Sequence, residues 1–92
     1  MEIVTTFVRF RCPKSAMKEQ SKNAQIFIFN DKNGVIKIFV PKSKLIIKED
    51  SVSEDFNVCI MPKWAFFKTE KLLFFVEFLG ETQHMEVVDD ID

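Results

Sequence analysis

The chain has 92 residues, 13 Lys and Arg, 14 Asp and Glu and a formal net charge of −1, a length that supplies one compact core but not two, so a single domain is expected. Its 47% hydrophobic fraction includes 11 Phe, no Tyr and only 2 Gly, which argues against a disordered chain and leans toward pleated, half-buried surfaces. No run reaches the roughly 18–20 apolar residues needed to cross a bilayer, and the N-terminus lacks the basic-then-apolar order of a secretory signal, so the expected setting is cytoplasmic, with no membrane partner and with Cys12 and Cys59 as thiols rather than a disulfide.

From Ile3 to Cys12 a period of two places Val4, Thr6, Val8, Phe10 and Cys12 on one face and Ile3, Thr5, Phe7, Arg9 and Arg11 on the other, which predicts a first strand with its arginines outward. Pro13 ends it, because proline has no N–H to donate to a ladder. Residues 14–24 are polar with few apolar anchors and read as a loop. Gln25–Asn30 and Val35–Val40 flank Asp31-Lys32-Asn33-Gly34, where the Asn-Gly pair supplies the positive φ of a tight turn, so a β-hairpin is predicted. Both arms carry apolar groups on two faces, as in the central hairpin of a small barrel. Pro41 breaks the run, Leu45–Ile47 reads as a short strand or 3₁₀ turn, and 48–55 as a polar loop. Phe56–Met61 reads as a strand, followed by a short helix from Pro62 to about Lys71, with proline at the first helical position. Leu72–Leu79 is a strand or a continuation of that helix. Gly80 is expected to end it, leaving 1–80 as a single β-rich domain and 81–92 as an acidic C-terminal tail. No internal repeat stands out. The expected fold is all-β, or β-dominated α+β: a partly open SH3-like or OB-like barrel of about five strands with one short helix.

Charge is distributed unevenly. Residues 9–48 hold ten Lys and Arg against Glu19 and Asp31, a net of about +8; residues 49–92 hold eleven carboxylates against Lys63, Lys68 and Lys71, about −8. If that separation survives folding, the molecule is bipolar, with a polyanion as partner for one half or a basic protein for the other.

Two boxes carry a resemblance. Val40-Pro41-Lys42-Ser43-Lys44-Leu45 follows the hairpin, and Met61-Pro62-Lys63-Trp64-Ala65 follows the later strand. Together they resemble a group of small phage- and mobile-element-encoded proteins in which a hairpin ends in a Trp-(Leu/Ile)-Pro-Lys-Ser-X-(Ile/Leu) box and a strand leads into a Pro-X-Trp-Leu-Ala box. Here Phe39 stands where Trp is usual, and the Leu between Trp and Ala is missing. The likeness spans residues 22–72. It implies a small β-rich domain of phage type and offers no catalytic residue, because the group has no assigned activity.

Chemistry-bearing constellations are sparse. Cys12, Cys59 and His84 are isolated in sequence and form no metal-ligand pair, one His leaves a nucleophilic triad without parts, and two glycines do not build a phosphate-cradling loop. The expectation is a protein that is not an enzyme, with no catalytic residue, metal or cofactor. Cations beside flat side chains suit single-stranded nucleic acid, since ammonium and guanidinium groups track phosphates while aromatic rings stack on unpaired bases. The candidate contacts are Arg9, Arg11, Lys37, Lys42 and Lys44 for phosphates, with Phe39 and Trp64 for bases. The alternative is a protein-interaction module, such as an inhibitor of a host defence or regulatory complex, acting through its acidic half. Monomer and homodimer both fit, the latter through an exposed sheet edge.

Overall fold

β1 (Glu2–Pro13) is the longest strand among the described residues, and the computed structural model, which describes residues 2–87, builds the larger of two sheets around it. In chain order there follow β2 (Glu19–Gln20), β3 (Ala24–Asp31), β4 (Gly34–Pro41), β5 (Ile46–Glu49), β6 (Phe56–Pro62), the helix α1 (Lys63–Lys68) and β7 (Glu77–Val87). Short 3₁₀ turns occupy Lys14–Met17, Lys42–Lys44 and Glu70–Phe74. One antiparallel sheet has the order β5-β6-β1-β7 and the other β2-β3-β4. The fold is therefore β-dominated with one helix, as the sequence predicts. The seven strands among the described residues exceed the expected number of about five, and the two sheets are not closed into one barrel.

Alternation explains which faces meet. Val8, Phe10 and Cys12 of β1 are buried beside Cys59 and Met61 of β6, while Phe27 and Phe29 of β3 and Ile38 and Val40 of β4 supply the facing wall. Aromatic rings connect the layers. Phe66 of α1 lies 5.6 Å from Phe10, Phe10 lies 6.2 Å from Phe27, Phe27 stacks 6.4 Å from Phe29, and Phe29 stacks 4.8 Å from Phe75. Such pairs add about 0.5–1.5 kcal/mol each beyond area burial. They tie both sheets to the helix and to the turn that follows it.

All three prolines of the chain sit in one recurring device. Cys12-Pro13-Lys14, Val40-Pro41-Lys42 and Met61-Pro62-Lys63 each place a buried residue next to last in the strand, then an extended proline as its final residue (φ −58°, −56° and −58°), then a helical turn that starts at lysine. Proline closes the ladder because it lacks an N–H, and its fixed φ suits the position before a helix.

The hairpin forms as predicted, with Asp31 opposite Gly34. Its turn differs in detail: Asp31 Oδ1 accepts the Asn33 N–H at 2.7 Å, and Gly34 alone takes positive φ (123°), so Asn33 contributes through its backbone rather than through a left-handed conformation. The hairpin is not central. β4 is a sheet edge, and its outward residues Val35, Lys37 and Phe39 are exposed. The expected loop over 14–24 contains a 3₁₀ turn and β2, held by the buried Gln25, whose Nε2 donates to the carbonyls of Met17 (2.9 Å) and Glu19 (3.0 Å).

Residues 72–79 divide between a 3₁₀ turn and the start of β7, and Gly80 does not stop that strand. β7 pairs with β1 from Glu77 to Val87, so 81–87 belong to the sheet and not to a tail; 88–92 lie outside the described residues. The register shifts between Arg9 and Phe10, which face Gly80 and Phe78, leaving Leu79 as the extra residue of a bulge. Gly80 has φ +136°, and a Cβ there would meet nothing nearer than Arg9 Nη2 at 4.0 Å. The space is open; only the backbone conformation demands glycine. Gly80→Ala is therefore expected to destabilise the protein by about 1–3 kcal/mol with no change in core packing, read as a lower urea midpoint at an unchanged denaturant slope.

Candidate nucleic-acid interface

α1 is only six residues long and is held by its buried side, Ala65 and Phe66, against β1 and β6. Thr69 ends it, its backbone N–H donating to the Phe66 carbonyl at 3.0 Å and its hydroxyl to the same oxygen at 2.8 Å. Burial of Ala65 and Phe66 leaves Trp64 and Phe67 facing outward, 53% and 55% exposed. Large aromatics at that exposure are unusual in a small domain, whose core needs most of them.

Cations gather around these rings. Lys44 Nζ and Lys68 Nζ each lie 5.4 Å from the centre of the Trp64 ring, and Lys63 Nζ lies 5.7 Å from that of Phe67. Phe67 also borders a groove of about 750 Å³ between β4 and α1, lined by Lys37, Phe39, Lys68 and Lys71. Phe39 is 58% exposed on the outer face of the hairpin, opposite Ile26. Lys37 shares that face and reaches Glu19 at 3.7 Å, an exposed pair of small energetic weight.

The predicted contacts therefore divide into two groups. Lys37, Lys44, Phe39 and Trp64 converge on the surface around α1. Lys42 is exposed in the 3₁₀ turn two residues before Lys44. Arg9 and Arg11 are elsewhere: they project from the face of β1 opposite to Val8, Phe10 and Cys12, hence away from the helix. Arg11 is clamped between Asp50 (Nε to Oδ2, 2.6 Å) and Glu77 (Nη1 to Oε2, 2.7 Å), so its charge is neutralised within the fold. Arg9 is half-buried, its Nε buried without a hydrogen-bond partner and its guanidinium lying over Gly80. The sequence reading missed Phe67, Lys68 and Lys71. A signal was present, since Trp64, Phe67, Lys68 and Lys71 recur at helical spacing on one stripe.

The linear charge separation is partly cancelled in space. Arg11–Asp50, Arg11–Glu77 and Lys14–Glu49 each join the basic block to the acidic half, and Lys63–Glu81 (2.8 Å) pairs within the latter. Meanwhile Lys68 and Lys71, from the acidic half, join the basic surface. Among the described residues no group of three or more His, Cys, Asp or Glu is placed to hold a metal, and no helix is long and apolar enough to cross a membrane. Cys12 and Cys59 are free, fully buried thiols, and loss of hydration pushes both up to about 12, with the neighbouring Cys59 adding to the effect at Cys12. No protein-family model, curated protein or solved structure matches the chain.

Two outcomes follow from these environments. Asp50, its side chain 3% exposed, is held below the usual carboxylate range by the Val52 backbone N–H, opposed by its own burial and aided by Arg11; the Arg11 guanidinium is raised by Glu77 and then by Asp50. A carboxylate depressed in the folded state stabilises the fold above its unfolded pKa of about 3.9 and loses that contribution as pH falls through the lower folded value. Asp50→Asn should accordingly lower stability at pH 7 and flatten the acid limb of a stability–pH curve below about pH 4. For the cysteines, a thiol-specific reagent should label the native protein only at the rate of its unfolding, and fast stoichiometric labelling would contradict their burial.

Proposed function

We propose that this protein is a non-enzymatic binder of single-stranded nucleic acid that works through the surface around α1. Trp64 carries the reading: an exposed indole with two lysine ammonium groups at 5.4 Å provides a stacking plane and two phosphate-seeking cations in one place. Phe39 and Phe67 extend the aromatic path, and Lys37 and Lys71 extend the cationic one along the adjoining groove.

Magnitudes favour exchange of a lysine for a base. A lysine over an exposed ring contributes about 0.5–1 kcal/mol. A base stacked on an aromatic side chain contributes about 1–3 kcal/mol. A base can therefore displace a lysine from the indole face, and the freed ammonium is then close to the backbone of the same ligand. Duplex DNA offers no accessible base faces, so the rings would contribute nothing there. The acidic half is a weaker candidate for the binding surface, because Asp50, Glu77, Glu49 and Glu81 already face cations of the same molecule.

Trp64 is the single Trp and the chain has no Tyr, so intrinsic fluorescence reports this site alone. Oligo-dT should quench it at low salt, and Trp64→Ala should weaken binding about 5- to 150-fold when measured by anisotropy of a labelled oligonucleotide. If Lys37, Lys44, Lys68 and Lys71 each neutralise one phosphate, the logarithm of affinity falls with the logarithm of salt at a slope of about −3, and Lys44→Ala and Lys68→Ala each reduce that slope by about 0.7. No quenching and no binding at low salt removes the proposal.

A further inference from the structure

A second concavity lies on the other side of Phe67. Val4, Thr5 and Thr6 of β1 face Lys63, Trp64 and Phe67 of α1 across a cleft of about 370 Å³. It forms because β1 and β7 run on beyond the core as a two-stranded ribbon: β6 last pairs with β1 at Phe7, opposite Pro62, whereas β7 continues to Val87 opposite Glu2. The chain turns from β6 into α1 at that point, so the helix stands beside the ribbon and Val4 and Thr6 project toward it on the same face as Val8.

The cleft and the groove differ in character while sharing Phe67. The groove is lined by Lys37, Lys68 and Lys71. The cleft has a single cation, Lys63, and Glu81 holds that cation at 2.8 Å. Its walls are two aromatic rings on one side and, on the other, Val4 and Thr6, with Thr5 between them along the strand. A flat, weakly polar group fits the cleft, and a chain of anionic groups fits the groove.

We infer that the cleft between the β1 ribbon and α1 takes one unstacked base of the bound strand, while the sugar-phosphate backbone crosses Phe67 into the lysine-lined groove. The inference rests on the single-strand reading above and deepens it: the site holds one base in a defined place, and the remaining contacts are made by stacking and charge. Trp64 and Phe67, three residues apart on one side of the helix, form one wall. Thr6 brings a hydroxyl to the opposite wall, able to donate to or accept from a base edge. With Phe39 as the third ring, the path accommodates about four nucleotides, the low end of site sizes for small β domains.

The test is an abasic walk along dT4, short enough to limit sliding, with affinity read from Trp64 fluorescence. One position should be special: removal of that base should cost at least about fivefold, and removal at the others about twofold or less. Val4→Phe, at a residue 56% exposed and so tolerant of change, fills the cleft and should abolish the difference between positions while leaving the salt slope unaltered. Independently of any variant, 4-thiothymidine at the costly position should photocrosslink to a peptide containing Val4–Thr6 or Trp64–Phe67. An equal cost at all four positions, or crosslinks confined to other peptides, overturns the base cleft and leaves single-strand binding standing. Absence of any dT4 or longer oligo-dT binding by the wild-type protein overturns both.

Discussion

The row of rings from Phe66 through Phe10, Phe27 and Phe29 to Phe75 is the contact on which the remaining architecture depends. Neither sheet is wide enough to bury a face by itself. β2 has two residues, and the smaller sheet is otherwise one hairpin, an arrangement that is marginal in water until it is covered. Phe27 and Phe29 provide the cover by meeting Phe10 of the larger sheet and Phe75 of the turn after α1. The same row fixes the helix. A six-residue helix has no stability of its own, since nucleation costs more than one turn returns. Its position derives from Phe66 against Phe10, and the outward direction of Trp64 and Phe67 derives from that burial.

Electrostatics acts at short range in this molecule. The sequence suggests two opposed halves, yet antiparallel pairing brings the start of β7 alongside β1 and sets the end of β5 one strand away across β6, so Arg11 meets Glu77 on one side and Asp50 on the other. Asp50 is nearly inaccessible and also accepts the Val52 N–H, which makes Arg11–Asp50 a clip on the loop after β5 rather than a surface ornament. What remains of the cationic excess is local. Lys44 arrives from the turn after the hairpin, in the basic half, and Lys68 from α1, in the acidic half, and both lie beside the Trp64 ring.

Much of the fold was legible because its signals are local. The period of two in β1, the Asp-x-Asn-Gly turn and the Pro62 boundary each appear where the residues predict them. β7 was obscured because Gly80 reads as a terminator, whereas in the sheet it pairs with Arg9 beside the Leu79 bulge and the strand continues to Val87. The length of β1 held the missing information, for a strand that continues five residues past the end of β6, from Thr6 back to Glu2, requires another partner. The hairpin faces were illegible for a different reason: Phe27, Phe29 and Phe39 are alike in type and period, and only the partner strand decides that Phe27 and Phe29 pack inward while Phe39, opposite Ile26, faces out. Arg9 and Arg11 were correctly assigned to an outward face, but which carboxylates share that face is a matter of register, fixed by contacts far apart in sequence.

The position of Trp64 follows from these constraints together. Pro62 ends β6 opposite Phe7, and the chain enters α1 beside the ribbon of β1 and β7. Ala65 and Phe66 are drawn into the core, so residues 64, 67 and 68 face away from it. Exposing two large rings on a 92-residue domain forfeits core volume that the fold could use, about 1.5–3 kcal/mol for a side chain of this size. That cost is offset only in part by lysines at 5.4–5.7 Å, whose contacts are worth less than burial would be. A surface that keeps its rings outside at such an expense, with lysines beside them, suits a ligand that offers flat faces and negative charge in alternation.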